Sequence, residues 1–232
     1  MGFVVLPALP ADISDVYDVY FAAFKDNAVT RALFPSATTE DLINPESEFR
    51  KEHTAHTLQY WQNNLTQYTL KCVDSDTGKI AGMALWDVYV TPSEWERGEI
   101  EWLQGKERER AEALIGPLWG AREKMWNKER YLYCHLVAVH PNYQRKGVGE
   151  LLVEYGKKIA LQANLPIYVE SSRDAIRLYE KSGFRWLKER PVHKSDDLWP
   201  GQTSDHEDHE IPLMVWIPRG EKTLLPAAVQ LA

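Results

Sequence analysis

The sequence predicts an α/β fold, and three stretches carry that prediction. Leu136-Val137-Ala138-Val139 is an apolar run closed by His140-Pro141. It is followed by a glycine-bearing loop, Gln144-Arg145-Lys146-Gly147-Val148-Gly149, and then by Leu151, Leu152, Tyr155 and Ile159 at helical spacing. The order is strand, tight loop, helix. Residues 66–73 and 79–88 read as two strands, joined by the turn composition Asp74-Ser75-Asp76-Thr77-Gly78. Near the start, Val16, Val19, Tyr20, Ala23 and Phe24 repeat with a helical period.

In chain order, Phe3-Val4-Val5-Leu6 reads as the first strand and Pro10-Ala11-Asp12 opens the first helix. Residues 27–44 are mixed and proline-containing. Residues 46–63 predict a second helix carrying Phe49, Leu58 and Trp61. Residues 89–130 are rich in Glu, Arg, Lys and Trp. Trp95, Ile100, Trp102, Leu103, Leu114, Ile115, Leu118, Trp119, Met125 and Trp126 supply an apolar stripe there. The pattern predicts one or two helices broken near Gly116-Pro117. Residues 184–189 and 212–217 read as the last strands. Between them, residues 192–210 form an acidic loop. His206 and His209 in that loop are spaced for a metal pair, but a solvated acidic loop is the simpler reading.

At 232 residues with 44% apolar content, the chain predicts one domain with an insertion at about 89–130. The net charge of −7 argues against nucleic acid as a partner, because phosphate contacts need basic patches. Cys72 and Cys134 both sit in strand-like runs, which suits buried thiols rather than a disulfide or metal framework. The N-terminal stretch lacks a basic segment before its apolar residues, and no apolar run approaches a membrane span. The expectation is a soluble chain in the reducing cytoplasm, as a monomer or homodimer.

The loop at 144–149 predicts an anion site. A helix start aims backbone N–H groups and a partial positive charge at one point, and such a point binds phosphate. Arg145 and Lys146 add charge, and Gly147 and Gly149 permit close approach or an unusual φ. The loop is neither a Walker loop nor a dinucleotide fingerprint. It follows Val139-His140-Pro141 in the form Gln/Arg-x-x-Gly-x-Gly/Ala, which resembles the acetyl-CoA loop of the GCN5-related N-acetyltransferases. Ala175-Ile176-Arg177-Leu178-Tyr179-Glu180-Lys181-Ser182-Gly183-Phe184 is similar to a second segment of that family, with the same order and spacing. The resemblance is sharp over residues 131–188. It implies a mixed, twisted sheet of six or seven strands, with helices on both faces and a V-shaped split beside Val137 and Val139. It also implies acetyl-CoA as donor and an amine as acceptor; the lack of any Cys-x-x-Cys pattern argues against a metal.

Acetyl transfer from a thioester to an amine needs a polarised carbonyl, a deprotonated amine and a protonated thiolate. The resemblance places the backbone of Val137 and Val139 against the pantetheine arm. Gln144, Arg145, Lys146, Gly147, Val148 and Gly149 meet the phosphates, and Ser172 stands where many family members carry an Asn that contacts the cofactor arm. Tyr179 is the expected acid, since a phenol of pKa about 10 lies close to a thiol's 8.5 or so. His135 is the expected base, and alternation puts it on the same strand face as Tyr133, Val137 and Val139. An imidazole near 6.5 suits an ammonium proton. The string from His135 to His140 resembles the arylalkylamine N-acetyltransferases, with Tyr133 standing where those carry another histidine. Glu170 is the alternative base. The expected function is transfer of acetyl to a small primary amine in a ternary complex. A peptide amine as acceptor, or a non-catalytic CoA sensor, are the competing readings.

Overall fold

The computed structural model describes residues 2–64, 66–92, 98–126, 128–201 and 207–232. The chain begins with β1 (Phe3–Pro7) and a 3-10 turn at Pro10–Asp12 that leads into α1 (Ile13–Phe24). Two short helices follow, α2 (Ala28–Leu33) and α3 (Thr39–Ile43). Asn27 caps the first through its side chain, and Thr38 caps the second. Next come α4 (Glu48–Asn63), capped by Ser47, then β2 (Gln67–Asp74), β3 (Ile80–Tyr89) and α5 (Gly105–Met125). β4 (Tyr131–Val139) leads to α6 (Val148–Ala163), β5 (Ile167–Glu170) and α7 (Ile176–Lys181). The chain ends with β6 (Arg185–Trp186), β7 (Val192–His193), α8 (Ser195–Leu198), β8 (His209–Glu210) and β9 (Leu213–Trp216). The sheet strands are mostly antiparallel: a first unit carries the order β1-β2-β3-β4 and a second the order β5-β9-β6, and β7 and β8 form a separate ribbon.

The chain divides into two compact units. The first comprises Met1–Asp26, Ser36–Val88 and Leu132–Asn164. In it β1 pairs antiparallel with β2, and β2 with β3. Side-chain alternation along β3 gives its two faces to different helices. Gly82 and Trp86 meet α6: a Cβ on Gly82 would lie 2.5 Å from Val148, and one on Gly156 would lie 2.4 Å from the Trp86 ring. Met83, of opposite parity, packs with Val16 and Val19 of α1. Helices therefore cover both faces. Arg50 of α4 is buried to 1% exposure. Its guanidinium donates to Asp18 at 2.6 Å and to the Leu42 and Ser14 carbonyls at 3.0 and 3.1 Å, and it lies 4.8 Å from the Phe21 ring centroid. The apolar residues expected to anchor α4 are only half-buried.

The second unit comprises Asn27–Pro35, Tyr89–Tyr131 and Leu165–Ala232. β9 is its central strand, pairing antiparallel with β5 and with β6. α5 is one continuous helix that runs through Pro117, where a break was expected. An interior proline costs about 3 kcal/mol, and the packing of α5 outweighs it. Leu114 is buried with Ala32 and Leu198, and Ala111 with Ile100 and Leu103. Arg110 ties α5 to α8 by donating to the Asp197 and Leu198 carbonyls at 2.7 and 3.0 Å. Trp95 of the expected stripe lies outside the described residues. The tail holds more structure than the expected loop, because β7, α8 and β8 fall within it. Among the described residues, no helix is long and apolar enough to cross a membrane.

Candidate active site

In the first unit the phosphate-loop prediction becomes a defined backbone. A 3-10 turn at Pro141–Tyr143 follows β4, and the His140 ring nitrogen accepts the Asn142 N–H at 3.2 Å. Gln144 donates through its amide to the Val139 carbonyl at 3.4 Å. Arg145 and Gly147 then both turn left-handed, with φ of 61° and 85°, and α6 starts at Val148. Nothing stands within 4 Å of a Cβ built on Gly147, so its requirement is conformational rather than steric. Gly149 lies in the first turn of α6, without a left-handed φ. Val148 is buried on Gly82, which lets the helix start settle onto the sheet. Gln144, Arg145, Lys146 and Gly147 are exposed. Lys146 donates to the Asn142 carbonyl at 2.8 Å and stands 5.2 Å from the Tyr143 ring centroid. Left-handed turns running into a helix N-terminus, flanked by two cations, make a cradle that fits a pyrophosphate.

β4 carries the next group. The rings of Tyr133 and His135 meet edge to face at 4.7 Å, which confirms that they share a side. Strict alternation does not continue from there. Leu136 and Ala138 pack with Met83, Val16 and Val19, on the side of the sheet that Asp87 also faces. His135 bonds Asp87 through Nε2. His135 and Leu136 thus reach the same side, as happens where a β-bulge interrupts the period. Val137 and Val139 are half-buried and do not share the face of His135.

The second unit holds Glu170, Ser172 and Tyr179. Glu170 ends β5, and both its oxygens accept from Arg122 of α5, at 2.8 and 2.9 Å. Ser172 is exposed, and its carbonyl accepts from the Ala175 N–H at 3.1 Å and the Ser171 hydroxyl at 2.8 Å. Tyr179 on α7 is 4% exposed. Gly183, at φ 84°, ends that helix, and Phe184 returns to pack edge to face on Tyr179 at 5.2 Å. Asp87 was missed by the sequence reading. Its signal was a lone carboxylate within Met83-Ala84-Leu85-Trp86-Asp87-Val88-Tyr89. Of the suggested metal pair, His206 lies outside the described residues, and the His209 ring packs edge-on to Trp199 at 4.8 Å. Among the described residues, no group of three or more His, Cys, Asp or Glu is placed to hold a metal ion.

The sequence model of the acetyltransferase (GNAT) family matches residues 36–184. The chain belongs to that family. This acetyltransferase is 26% identical over 145 residues to a probable acyltransferase, SID5, of Ajellomyces capsulatus; the match covers 61% of this chain and 97% of that protein. Its fold is similar to that of arylalkylamine N-acetyltransferase 2 from Aedes aegypti, at 13% identity and a TM-score of 0.65, over 94% of this chain and 99% of that one. It is also similar to the histone acetyltransferase HPA2 and related acetyltransferase from Corynebacterium glutamicum, at 20% identity and a TM-score of 0.55, over 94% and 97% of the two chains. The family transfers acyl groups and uses acetyl-CoA as donor, and the cradle at 144–149 fits the pyrophosphate of that donor.

Proposed function

We propose that this enzyme transfers the acetyl group of acetyl-CoA directly to a small primary amine while both are bound. The observation that carries the reading is the setting of His135. Its imidazole is 30% exposed, on the strand that feeds the phosphate loop, beside the Tyr133 ring. A partly exposed imidazole beside one aromatic ring suits an acceptor with an apolar body and a cationic nitrogen. The arylalkylamine-like string from His135 to His140 and the net charge of −7 agree with such an acceptor.

In this reading His135 takes the amine proton, and the backbone of Val137 and Val139 holds the pantetheine arm. Gln144 to Gly149 bind the phosphates, Ser172 touches the cofactor arm, and Tyr179 returns a proton to the leaving thiolate. Glu170 is a structural anion, since Arg122 occupies both its oxygens. Direct transfer is favoured over an acyl-cysteine, because Cys72 and Cys134 are buried and burial pushes the Cys72 thiol up to about 11. We read residues 89–130 as an insertion within one acetyltransferase domain, because the family match runs across them.

A thiol-release assay with acetyl-CoA and a panel of amines tests the proposal. Turnover on small aromatic or aliphatic amines is expected. Turnover on peptides alone would move the acceptor to a protein amine, and CoA binding without turnover on any amine would reject the proposal.

A further inference from the structure

Asp87 lies near the end of β3, is 7% exposed, and binds Nε2 of His135. A carboxylate in that setting has a desolvation cost that only a specific partner offsets. Its parity opposite Trp86 turns it away from α6, toward the side carrying Tyr133 and His135. Gln67 stands across from it on β2. Tyr60 of α4 is close enough to sense it: burial, and then the Asp87 charge, push the Tyr60 hydroxyl up. Among the described residues of the first unit, Gln67, Tyr60 and Tyr133 face this pair.

We propose that Asp87 is a positioning residue for catalysis: it holds His135 in the tautomer with hydrogen on Nε2, so that Nδ1 is the atom that accepts the acceptor's proton. An ionised carboxylate can only accept hydrogen bonds, so the nitrogen it binds must carry hydrogen. The other nitrogen then keeps its lone pair. As an N–H bond of the substrate ammonium breaks, directly or through one water, an N–H bond forms at Nδ1. The electron pair stays on the amine nitrogen and becomes the nucleophile. The positive charge moves from substrate to imidazole, where the Asp87 carboxylate already faces the opposite ring edge. This inference rests on the proposed acetyl transfer with His135 as base, and it commits the base to one ring nitrogen.

The first test needs no activity. Long-range proton–nitrogen NMR spectra of the wild-type enzyme, with the His135 signal assigned by its loss in His135→Ala, report the tautomer. Hydrogen on Nε2 is expected, and hydrogen on Nδ1 overturns the proposal. The second test is kinetic. Asp87→Asn should lower kcat/KM by about 10- to 100-fold, within the range of acid–base effects, while the dissociation constant for acetyl-CoA stays within about twofold. In the His135→Ala background the same substitution should change the rate by less than about twofold, because the two residues act as one unit. An equal loss in both backgrounds refutes a role exerted through His135. Should the wild-type enzyme turn over no amine at all, the functional reading fails, while the tautomer spectrum still supports or overturns the Asp87–His135 pairing.

Discussion

Arg122 grips Glu170 at two points, Nε to one carboxylate oxygen at 2.8 Å and the terminal nitrogen to the other at 2.9 Å, with side chains only 12% and 10% exposed. A carboxylate held this way has both oxygens committed to one guanidinium and is not presented to an acceptor amine. Glu170→Gln should therefore leave kcat/KM within about threefold. Arg122→Met should destabilise the fold by about 3 kcal/mol, since it strands a buried charge. Steady-state kinetics and urea unfolding measure the two effects, and a Glu170→Gln loss of about 10²-fold would return Glu170 to the role of base.

Gly147 adopts a left-handed φ of 85° with open space around the position of a Cβ. Forcing an L side chain into that region costs about 1–2 kcal/mol, so Gly147→Val should weaken acetyl-CoA by roughly tenfold. The adjacent Arg145 is left-handed as well, at φ 61°. Arg145→Ala keeps the backbone conformation and loses only charge, so its smaller effect should shrink as salt is raised. Calorimetric titration of CoA at two ionic strengths separates the two cases.

Tyr179 is buried, edge to face with Phe184. Tyr179→Phe retains that ring packing and removes one proton donor. If the phenol protonates the departing thiolate, kcat should fall by about 10²-fold with acetyl-CoA affinity unchanged. An unaltered kcat would make the tyrosine purely structural.

His53 sits among the rings of Tyr17, Phe21 and Phe49, with centroids at 4.6, 5.1 and 6.1 Å. Burial, and then the nearby Arg50 charge, hold its pKa down to about 4. The unfolded chain binds this proton near 6.5 and the folded chain does not, so the unfolded state gains protons first as pH falls. Stability should be independent of His53 above about pH 6.5 and should decline between 6.5 and 4, by up to about 3 kcal/mol. His53→Phe should flatten that slope, as chemical denaturation at a series of pH values will reveal.

What the chain order alone determined is local. The run from Leu136 into Leu151 specified strand, loop and helix, because apolar period and glycine placement act over a few residues. Gly183 after Tyr179 specified a helix end in the same way. Tertiary structure decided what local patterns do not encode. Pro117 reads as a break, yet α5 passes through it, because buried Leu114, Ala121 and Met125 hold the helix together. The expected helix at 46–63 carries Phe49, Leu58 and Trp61 as its apolar residues, yet its buried side chain is Arg50, which bonds the carbonyls of Leu42 and Ser14 and the carboxylate of Asp18. The Asp87–His135 and Arg122–Glu170 pairs each join residues 48 positions apart. Sequence pattern names the side chains of such a pair, but strand register and helix packing bring them within bonding distance. The assignment of one carboxylate to a histidine and the other to an arginine therefore exists only in the folded chain.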